Sequence, residues 1–303
     1  MKKIWEKTIE SISRVFHVIF SFYIPYALWR NSRRLKKWLK KNRKQQDPNL
    51  YSFSDRFEYI RRKAIKFNKR MGIKVNIIGL DNLPKSGSWI TPNHTSNYDG
   101  FYLLEALGSK VQLVPTANDK VIKGRIASGF LNAADAFIID RNNIRQALTN
   151  LNNAANYGRQ NNRGVVVFPE GTRSFTTKLL EFRCGSFKFP QKYALPIVPI
   201  TITGTLQAKR WWKLYYRYVN VTIHKPLKPI EHIKIPSDIV CRRVYEKINN
   251  ELIKYEKELS NREKKHLEKL RLKAIKSDKK KERKLIIEKE NFIKKDLKKS
   301  KKQ

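Results

Sequence analysis

Cysteine is scarce in this chain, because Cys184 and Cys241 are the only two among 303 residues. Two cysteines are too few for a disulfide framework or for a cysteine-based metal site, and they favour a reducing, cytosolic environment. A thiol can also act as a nucleophile, but Cys184 has no histidine beside it in the sequence. We therefore expect both cysteines to be inert and their serine variants to be active.

Acidic residues are also few: 26 Asp and Glu stand against 66 Lys and Arg, a net charge of +40. Residues 1–46 hold 13 basic and 2 acidic side chains, and residues 253–303 hold 21 and 9. Such an excess favours contact with nucleic acid or with an anionic membrane surface. The sequence contains no recognised nucleic-acid motif, and the excess lies at the two ends beside apolar residues. We therefore favour a membrane lipid surface and expect no specific nucleic-acid partner.

A long hydrophobic run is missing as well. Residues 15–29 carry no charge, but fifteen helical residues reach only about 22 Å, less than the ~30 Å hydrocarbon core. Basic residues flank this run on both sides, and no signal-peptide cleavage site follows it. Residues 1–46 are therefore predicted to form a membrane-associating segment that lies in the cytoplasmic leaflet without crossing it. The alternative is a helix packed against the protein core.

The C-terminal part, residues 239–303, reads as a helix followed by a charged tail. Its apolar residues recur every three or four positions, as in one face of a helix: Val244, Ile248, Leu252, Tyr255 and Leu259. Residues 277–303 are dominated by Lys and Glu and are helical at most in part. This tail either is simply solvated or is attracted to anionic lipid or RNA.

The middle part, residues 47–238, alternates short apolar runs with helical patterns. A helix over Phe101–Leu107 is predicted to end at Gly108, and another, containing Ile144 and Ala155, is predicted to end at Gly158. This alternation predicts an α/β fold, with a mixed, largely parallel sheet flanked by helices. The predicted strands are Trp89–Thr91, Val111–Val114, Ala136–Ile139, Val165–Phe168, Ile197–Ile202 and Val219–Ile223.

Three polar clusters follow predicted strands directly, at residues 93–99, 140–141 and 169–173. Because the carboxyl ends of parallel strands share one edge of a sheet, we expect these clusters to form a single site. In the first cluster, an imidazole at His94 oriented by Asp99 would be a general base for a hydroxyl proton. Alternatively, Asp99 caps the helix that begins at Gly100, and His94 is an ordinary loop residue.

The other two clusters carry arginines that could hold a phosphate. Arg173 lies three residues after Glu170, across a Gly-Thr turn, and its guanidinium could bind phosphate through two hydrogen bonds. A local ion pair between Glu170 and Arg173 is the alternative. Arg141 could contribute in the same way, or it is a surface residue beside Asp140.

Four sequence blocks in this order, NHTSNYD, FIIDR, FPEGTRS and ALPIVPI, resemble those of the glycerolipid acyltransferase family. Within it, the chain is most similar to the lysophosphatidic acid (1-acylglycerol-3-phosphate) acyltransferases. The resemblance covers roughly Phe57 to Pro226. It implies direct acyl transfer from a thioester, either acyl-CoA or acyl carrier protein, to the sn-2 hydroxyl of 1-acylglycerol 3-phosphate. The product would be phosphatidic acid, made at the cytoplasmic face of the membrane by a peripheral or monotopic enzyme.

The resemblance also implies a role for each matching residue. His94 would be the catalytic base and Asp99 its orienting partner, with no cofactor, metal or covalent acyl-enzyme. An acceptor such as glycerol 3-phosphate or another lysolipid is the alternative within the family. The substrate would be bound by Arg141, Glu170, Gly171, Thr172 and Arg173, and Pro196 would belong to the fourth block, which shapes the site.

Two positions depart from the family pattern. Asp135 stands where the second block usually begins with glycine. Where the family often has a Lys-x-Glu-Leu stretch between the first two blocks, this chain has Asn118-Asp119-Lys120-Val121. If the usual lysine binds phosphate, Lys120 or Lys123 is the candidate to replace it.

Overall fold

A computed structural model describes most of the middle of the chain and part of both ends. The described residues are 23–44, 50–122, 127–140, 143–208, 216–261, 263–269 and 272. Residues 1–22 and 273–303, which contain about half of the predicted membrane-associating segment and all of the charged tail, lie outside them.

The described residues form a seven-stranded sheet with the order β1-β7-β6-β2-β5-β3-β4. All neighbouring pairs are parallel except β6 and β7, which are antiparallel. Five strands, from β6 to β4 in this order, therefore point the same way, and their carboxyl ends share one edge. The strands are β1 Ile73–Ile78, β2 Ser88–Pro92, β3 Leu113–Asn118, β4 Phe137–Ile139, β5 Gly164–Val166, β6 Ile197–Thr203 and β7 Arg217–Ile223.

Helices cover both faces of the sheet. Their apolar faces and the buried strand residues form two separate cores, one on each side. Phe57 and Leu103 belong to the first core, and Leu151 and Val244 belong to the second. The helices are α1 Ile24–Lys44, α2 Phe53–Arg70, α3 Asp99–Leu107, α4 Asp119–Ile122, α5 Ala127–Ala133, α6 Ile144–Gln160, α7 Lys188–Lys192, α8 Thr205–Ala208 and α9 Ser237–Glu258, with short 3-10 turns at Leu80–Asn82, Cys184–Phe187 and Pro229–Glu231.

The predicted α/β class with a mixed, largely parallel sheet is confirmed. Strand β1, which the sequence analysis did not identify, lies at the sheet edge, and only its first residue, Ile73, is fully buried. Gly108 does follow the last residue of α3, as predicted. The prediction that Gly158 ends α6 is wrong, because the helix continues to Gln160. A Cβ on Gly158 would lie 2.5 Å from Val165 Cγ2, so the glycine lets the helix pack closely against β5.

The described part of the N-terminal segment packs against the rest of the protein. On α1, Ser32 and Leu35 are fully buried, and Ser32 Oγ accepts a hydrogen bond from the Gly129 N–H at 3.2 Å. Leu35 contacts a small apolar cluster that includes Ile60 and Phe130. From residue 24 onwards, this helix therefore fits the alternative of a helix packed on the core. Among the residues that the structure describes, no helix is both long enough and apolar enough to span a bilayer.

The C-terminal helix α9 has the apolar face that its sequence predicts. Val244, Ile248 and Leu252 are buried, and the first two are completely inaccessible. They pack in the second core against the sheet and the 3-10 turn at Cys184–Phe187. Leu259, just beyond the helix, packs with Leu267 in a separate small cluster. One face of the stretch 239–259 is thus packed against the rest of the molecule.

Candidate active site

His94 and Asp99 form a hydrogen-bonded pair just beyond the carboxyl end of β2. His94 Nδ1 and Asp99 Oδ2 are 2.8 Å apart; the Asp99 side chain is completely buried, and that of His94 is 23% exposed. An ionised carboxylate can only accept hydrogen bonds, so Nδ1 donates to it and the lone pair of Nε2 is left for a substrate proton. This is the arrangement that a histidine base requires.

Asp99 serves the 93–98 loop as well as the imidazole. Its Oδ2 also accepts hydrogen bonds from the backbone N–H groups of Thr95 and Ser96, both at 2.8 Å. These groups precede α3, and the N-cap residue of that helix is Tyr98. The alternative that Asp99 merely caps the helix therefore does not describe its contacts. One buried carboxylate orients both the loop and the ring that the loop carries.

The 169–183 loop follows β5 and lies beside the 93–98 loop, as the shared sheet edge predicts. Glu170 Oε1 accepts the backbone N–H of His94 at 2.6 Å, and Oε2 accepts that of Leu180 at 3.0 Å. The Ser174 N–H in turn donates to the His94 carbonyl at 2.8 Å. Glu170 is only 4% exposed. Burial raises its pKa to about 7, although its two backbone hydrogen bonds oppose this, and the nearby Asp99 carboxylate raises it slightly further.

The turn after Glu170 positions Arg173 near the histidine loop. Gly171 has a φ of +65°, a left-handed conformation that favours glycine, and a Cβ there would lie 2.7 Å from Arg183 Nε. Thr172 is exposed in the same turn. Arg173 Nη1 donates to Asn97 Oδ1 at 2.5 Å, and the guanidinium lies 4.5 Å from the centre of the Phe175 ring. The alternative of a local ion pair between Glu170 and Arg173 therefore does not describe their contacts, because each has a separate partner.

Asp135, which departs from the family pattern, occupies a position whose backbone conformation explains why the family usually has glycine there. Its φ is +50°, a left-handed conformation that favours glycine but that Asp tolerates better than most residues. Its carboxylate accepts hydrogen bonds from Arg56 Nη1 at 2.9 Å and from the Tyr157 hydroxyl at 3.2 Å. Arg56 Nη1 also donates to the Ala133 carbonyl at 2.9 Å. These bonds hold the turn that leads into β4.

Pro196 does not share this site. It immediately precedes β6, and its carbonyl accepts the N–H of Trp89 near the start of β2. Trp89 is five residues before His94, which corresponds to roughly 16 Å along an extended strand. The expectation that Pro196 contributes to the substrate site is therefore wrong, because Pro196 lies at the amino-terminal ends of the parallel strands and His94 lies at their carboxyl ends.

Asn93, a member of the first polar cluster to which no separate role was assigned, links the end of β6 to the site. Its amide exchanges two hydrogen bonds with the Ile202 backbone, at 2.7 and 3.1 Å. This link fixes the start of the histidine loop to the carboxyl end of β6. The only hint in the sequence was the position of Asn93 directly before His94. The strand that begins in the fourth block thus supports the site through Ile202, two residues beyond that block.

Three other predicted phosphate contacts cannot be placed. Arg141 and Lys123 lie outside the described residues, as does the side chain of Lys120. Asp140, the neighbour of Arg141, follows β4 at the same sheet edge as His94. The roles of these basic residues therefore stay predictions. Within the described ranges, no group of three His, Cys, Asp or Glu side chains could hold a metal ion.

The two cysteines are joined to each other, in contrast to the expectation of two separate inert thiols. Cys184 and Cys241 form a disulfide, with their Cα atoms 5.3 Å apart, which is a normal separation for this bond. It connects the end of the 169–183 loop region to α9. The sequence separation of 57 residues gave no sign of this proximity. Neither sulfur carries a free thiol in the structure, so neither is available as a nucleophile.

An apolar cavity of about 710 Å³ opens beside His94. Phe168 lines it and also stacks on the His94 imidazole, with the ring centres 4.1 Å apart. Asn97, the partner of Arg173, is another lining residue. The rest of the lining is mostly apolar and comes mainly from α1, α2, α3 and α5, with Leu28, Phe67, Leu104 and Leu131 among its members. Phe168 and Asn97 therefore connect His94 and Arg173 to a space suited to a hydrocarbon chain.

Comparison with known proteins agrees with this geometry. The acyltransferase family model matches residues 74–203, which contain His94, Asp99, Glu170 and Arg173. A probable 1-acyl-sn-glycerol-3-phosphate acyltransferase of Mycoplasma pneumoniae is 29% identical over 228 residues, covering 69% of this chain and 82% of that protein. The 1-acyl-sn-glycerol-3-phosphate acyltransferase of Limnanthes douglasii is 32% identical over 184 residues, 57% of this chain and 64% of that protein.

A solved structure supports the same conclusion at the level of the fold. The crystal structure of the 1-acyl-sn-glycerophosphate acyltransferase of Thermotoga maritima aligns with 86% of this chain and all of that one, at a TM-score of 0.57. Its sequence identity is 21%. This likeness shows the fold, while the match of residues 74–203 to the acyltransferase family model and the named relatives indicate an acyltransferase enzyme.

Proposed function

We propose that this enzyme transfers a fatty acyl group from acyl-CoA or acyl carrier protein to the sn-2 hydroxyl of 1-acylglycerol 3-phosphate, giving phosphatidic acid. The observation that carries the proposal is the His94–Asp99 pair next to an apolar cavity, whose lining includes Phe168, stacked on His94, and Asn97, the partner of Arg173. The curated relatives that bear this activity in their names support the choice of acceptor.

The chemistry follows from the free Nε2 of His94. This nitrogen takes the proton of the acceptor hydroxyl as the oxygen attacks the thioester carbonyl carbon. The tetrahedral intermediate then breaks its carbon–sulfur bond, and the departing thiolate receives the proton from the imidazolium. Asp99 stabilises the transient positive charge on the ring because its carboxylate accepts from Nδ1. The acyl group passes directly from sulfur to oxygen.

The test of the acceptor is a panel assay. Purified enzyme with a labelled acyl donor is offered 1-acylglycerol 3-phosphate, glycerol 3-phosphate and a lysolipid whose phosphate is esterified, and products are identified by mass spectrometry. We expect phosphatidic acid to dominate. A preference for glycerol 3-phosphate would replace the proposed acceptor and leave the acyl-transfer chemistry in place. Running the panel with acyl-CoA and with acyl carrier protein identifies the donor.

The apolar cavity is the proposed site of the donor acyl chain, since its volume is in the range of ligand pockets. Leu131 lines it and is only partly buried, so Leu131→Trp should fill part of the space. We expect the preferred donor to shift to shorter chains, because each methylene that loses its place forfeits about 0.8 kcal/mol of burial. Leu148→Trp, at an exposed position on α6, is the matched control. A change in acceptor rather than donor chain length would contradict the assignment.

Membrane attachment through the N-terminal residues is part of the same proposal. The acceptor has its acyl chain in the bilayer and its phosphate at the surface, so the enzyme must work at that interface. Deleting residues 1–22 spares the packed helix α1 and is expected to reduce recovery with anionic vesicles and activity on bilayer-embedded acceptor. Activity on a short-chain, soluble acceptor should remain. Unchanged sedimentation with vesicles would show that attachment lies elsewhere in the chain.

A further inference from the structure

The backbone of His94 is held on both sides by the 169–183 loop. Its N–H donates to Glu170 Oε1 at 2.6 Å, and its carbonyl accepts from the Ser174 N–H at 2.8 Å. The imidazole is held separately, through Nδ1, by Asp99. The direction of Nε2 therefore depends on two carboxylates. Asp99 holds the side chain of His94, and Glu170 holds its backbone.

Glu170 is placed to support this backbone rather than to reach a ligand. It is 4% exposed, and its two oxygens are used by N–H groups from two different segments, at His94 and at Leu180. Leu180 belongs to the far arm of the 169–183 loop, whose ends are joined by the Arg183 N–H and the Pro169 carbonyl. Glu170 thus connects the histidine loop with both arms of its own loop.

We propose that Glu170 is a positioning residue, which fixes the His94 loop for catalysis and does not bind the acceptor. This inference rests on the proposed function, in which His94 is the base. It differs from the role that the family resemblance implies, where Glu170 would contact the glycerol phosphate. In its place, Arg173, which is less buried and points to Asn97 on the cavity wall, is the residue of this loop that meets the phosphate.

The two roles predict different kinetic changes. Glu170→Gln keeps the size of the side chain but replaces one accepting oxygen with a donor, so one backbone N–H loses its partner. We expect kcat to fall about 10- to 100-fold, because small displacements of a catalytic group have effects of this order. The KM for the acceptor should stay within about twofold. Glu181→Gln, at an exposed neighbouring position, should leave both constants unchanged.

The pH profile supplies a second measurement. The charged group that acts on Glu170 is the Asp99 carboxylate, while Arg183 lies against the neighbouring Gly171. Since the pKa of Glu170 is raised to about 7, protonation of Glu170 should lower wild-type kcat as the pH falls below neutral. The Gln variant lacks this ionisable group, so its low-pH limb should be shallower by about one proton.

Hydrogen exchange tests the proposal without turnover. In the full chain without substrate, the peptide spanning residues 93–98 should exchange faster in Glu170→Gln than in wild type or in Glu181→Gln. If Glu170→Gln fails to fold by its thermal melt, Glu170→Asp takes its place, since a shorter carboxylate cannot reach both N–H groups. A raised acceptor KM with unchanged kcat, or unchanged exchange in a folded variant, would overturn the positioning role. Wild-type enzyme inactive on every acceptor would instead refute the proposed function.

Discussion

His94→Ala is expected to abolish measurable acyl transfer while substrates still bind. Removing a general base typically costs about 10²–10⁴-fold, and here no other group would take the hydroxyl proton in the proposed mechanism. Binding should survive because the cavity and Arg173 are untouched. Single-turnover kinetics with labelled donor, together with calorimetric titration of the acceptor, measures the two effects separately.

A variant of Asp99, the hydrogen-bond partner of His94, tests the same mechanism. Asp99→Asn should lower kcat by about 10²-fold or more, because an amide no longer holds the imidazole with Nε2 unprotonated. Since Asp99 also accepts the Thr95 and Ser96 N–H groups, a thermal melt must show that the variant is folded. Asp81→Asn, at an exposed site outside the loop, is the control. Near-normal turnover in folded His94→Ala would refute the mechanism.

The contact between His94 and Asp99 was predictable from the sequence because the two residues are close in the chain. Five residues separate His94 from Asp99, so one loop and the start of one helix decide their contact. The order of strands and polar clusters was enough to place Glu170 and Arg173 at the same sheet edge. Hydrophobic periodicity also identified α9, because the side of the helix that packs on the sheet is apolar throughout.

The supporting contacts were not predictable, because each joins residues far apart in the chain. Glu170 is 76 positions from His94, Asn93 is 109 from Ile202, and Arg56 is 79 from Asp135. Such pairs depend on which strands become neighbours and on their register, which local patterns do not encode. For Pro196, the sequence led to a contact with the site that the structure does not contain. A motif residue was assigned to the site by its block, although the direction of β6 places it at the other edge.

Arg173→Ala is expected to raise the acceptor KM by roughly 10- to 150-fold with a much smaller effect on the acyl donor. A guanidinium on a phosphate makes charge-assisted hydrogen bonds worth about 1.5–3 kcal/mol, which corresponds to this range. The geometry favours Arg173 for this role because Asn97 and the Phe175 ring hold its guanidinium at the rim of the cavity. Initial rates at varied acceptor and saturating donor give the KM directly.

A lysine variant tests whether the contact between Arg173 and the acceptor phosphate needs the shape of a guanidinium as well as its charge. Arg173→Lys should recover little of the loss, since an ammonium group is a point charge and cannot form the paired hydrogen bonds of a guanidinium. Arg145→Ala, which removes an exposed arginine from α6, should leave the acceptor KM unchanged. The decisive comparison uses a lysolipid acceptor without phosphate. Because such an acceptor makes no phosphate contact, Arg173→Ala should scarcely affect its use, and an equal loss for both acceptors would show that Arg173 does not bind the phosphate.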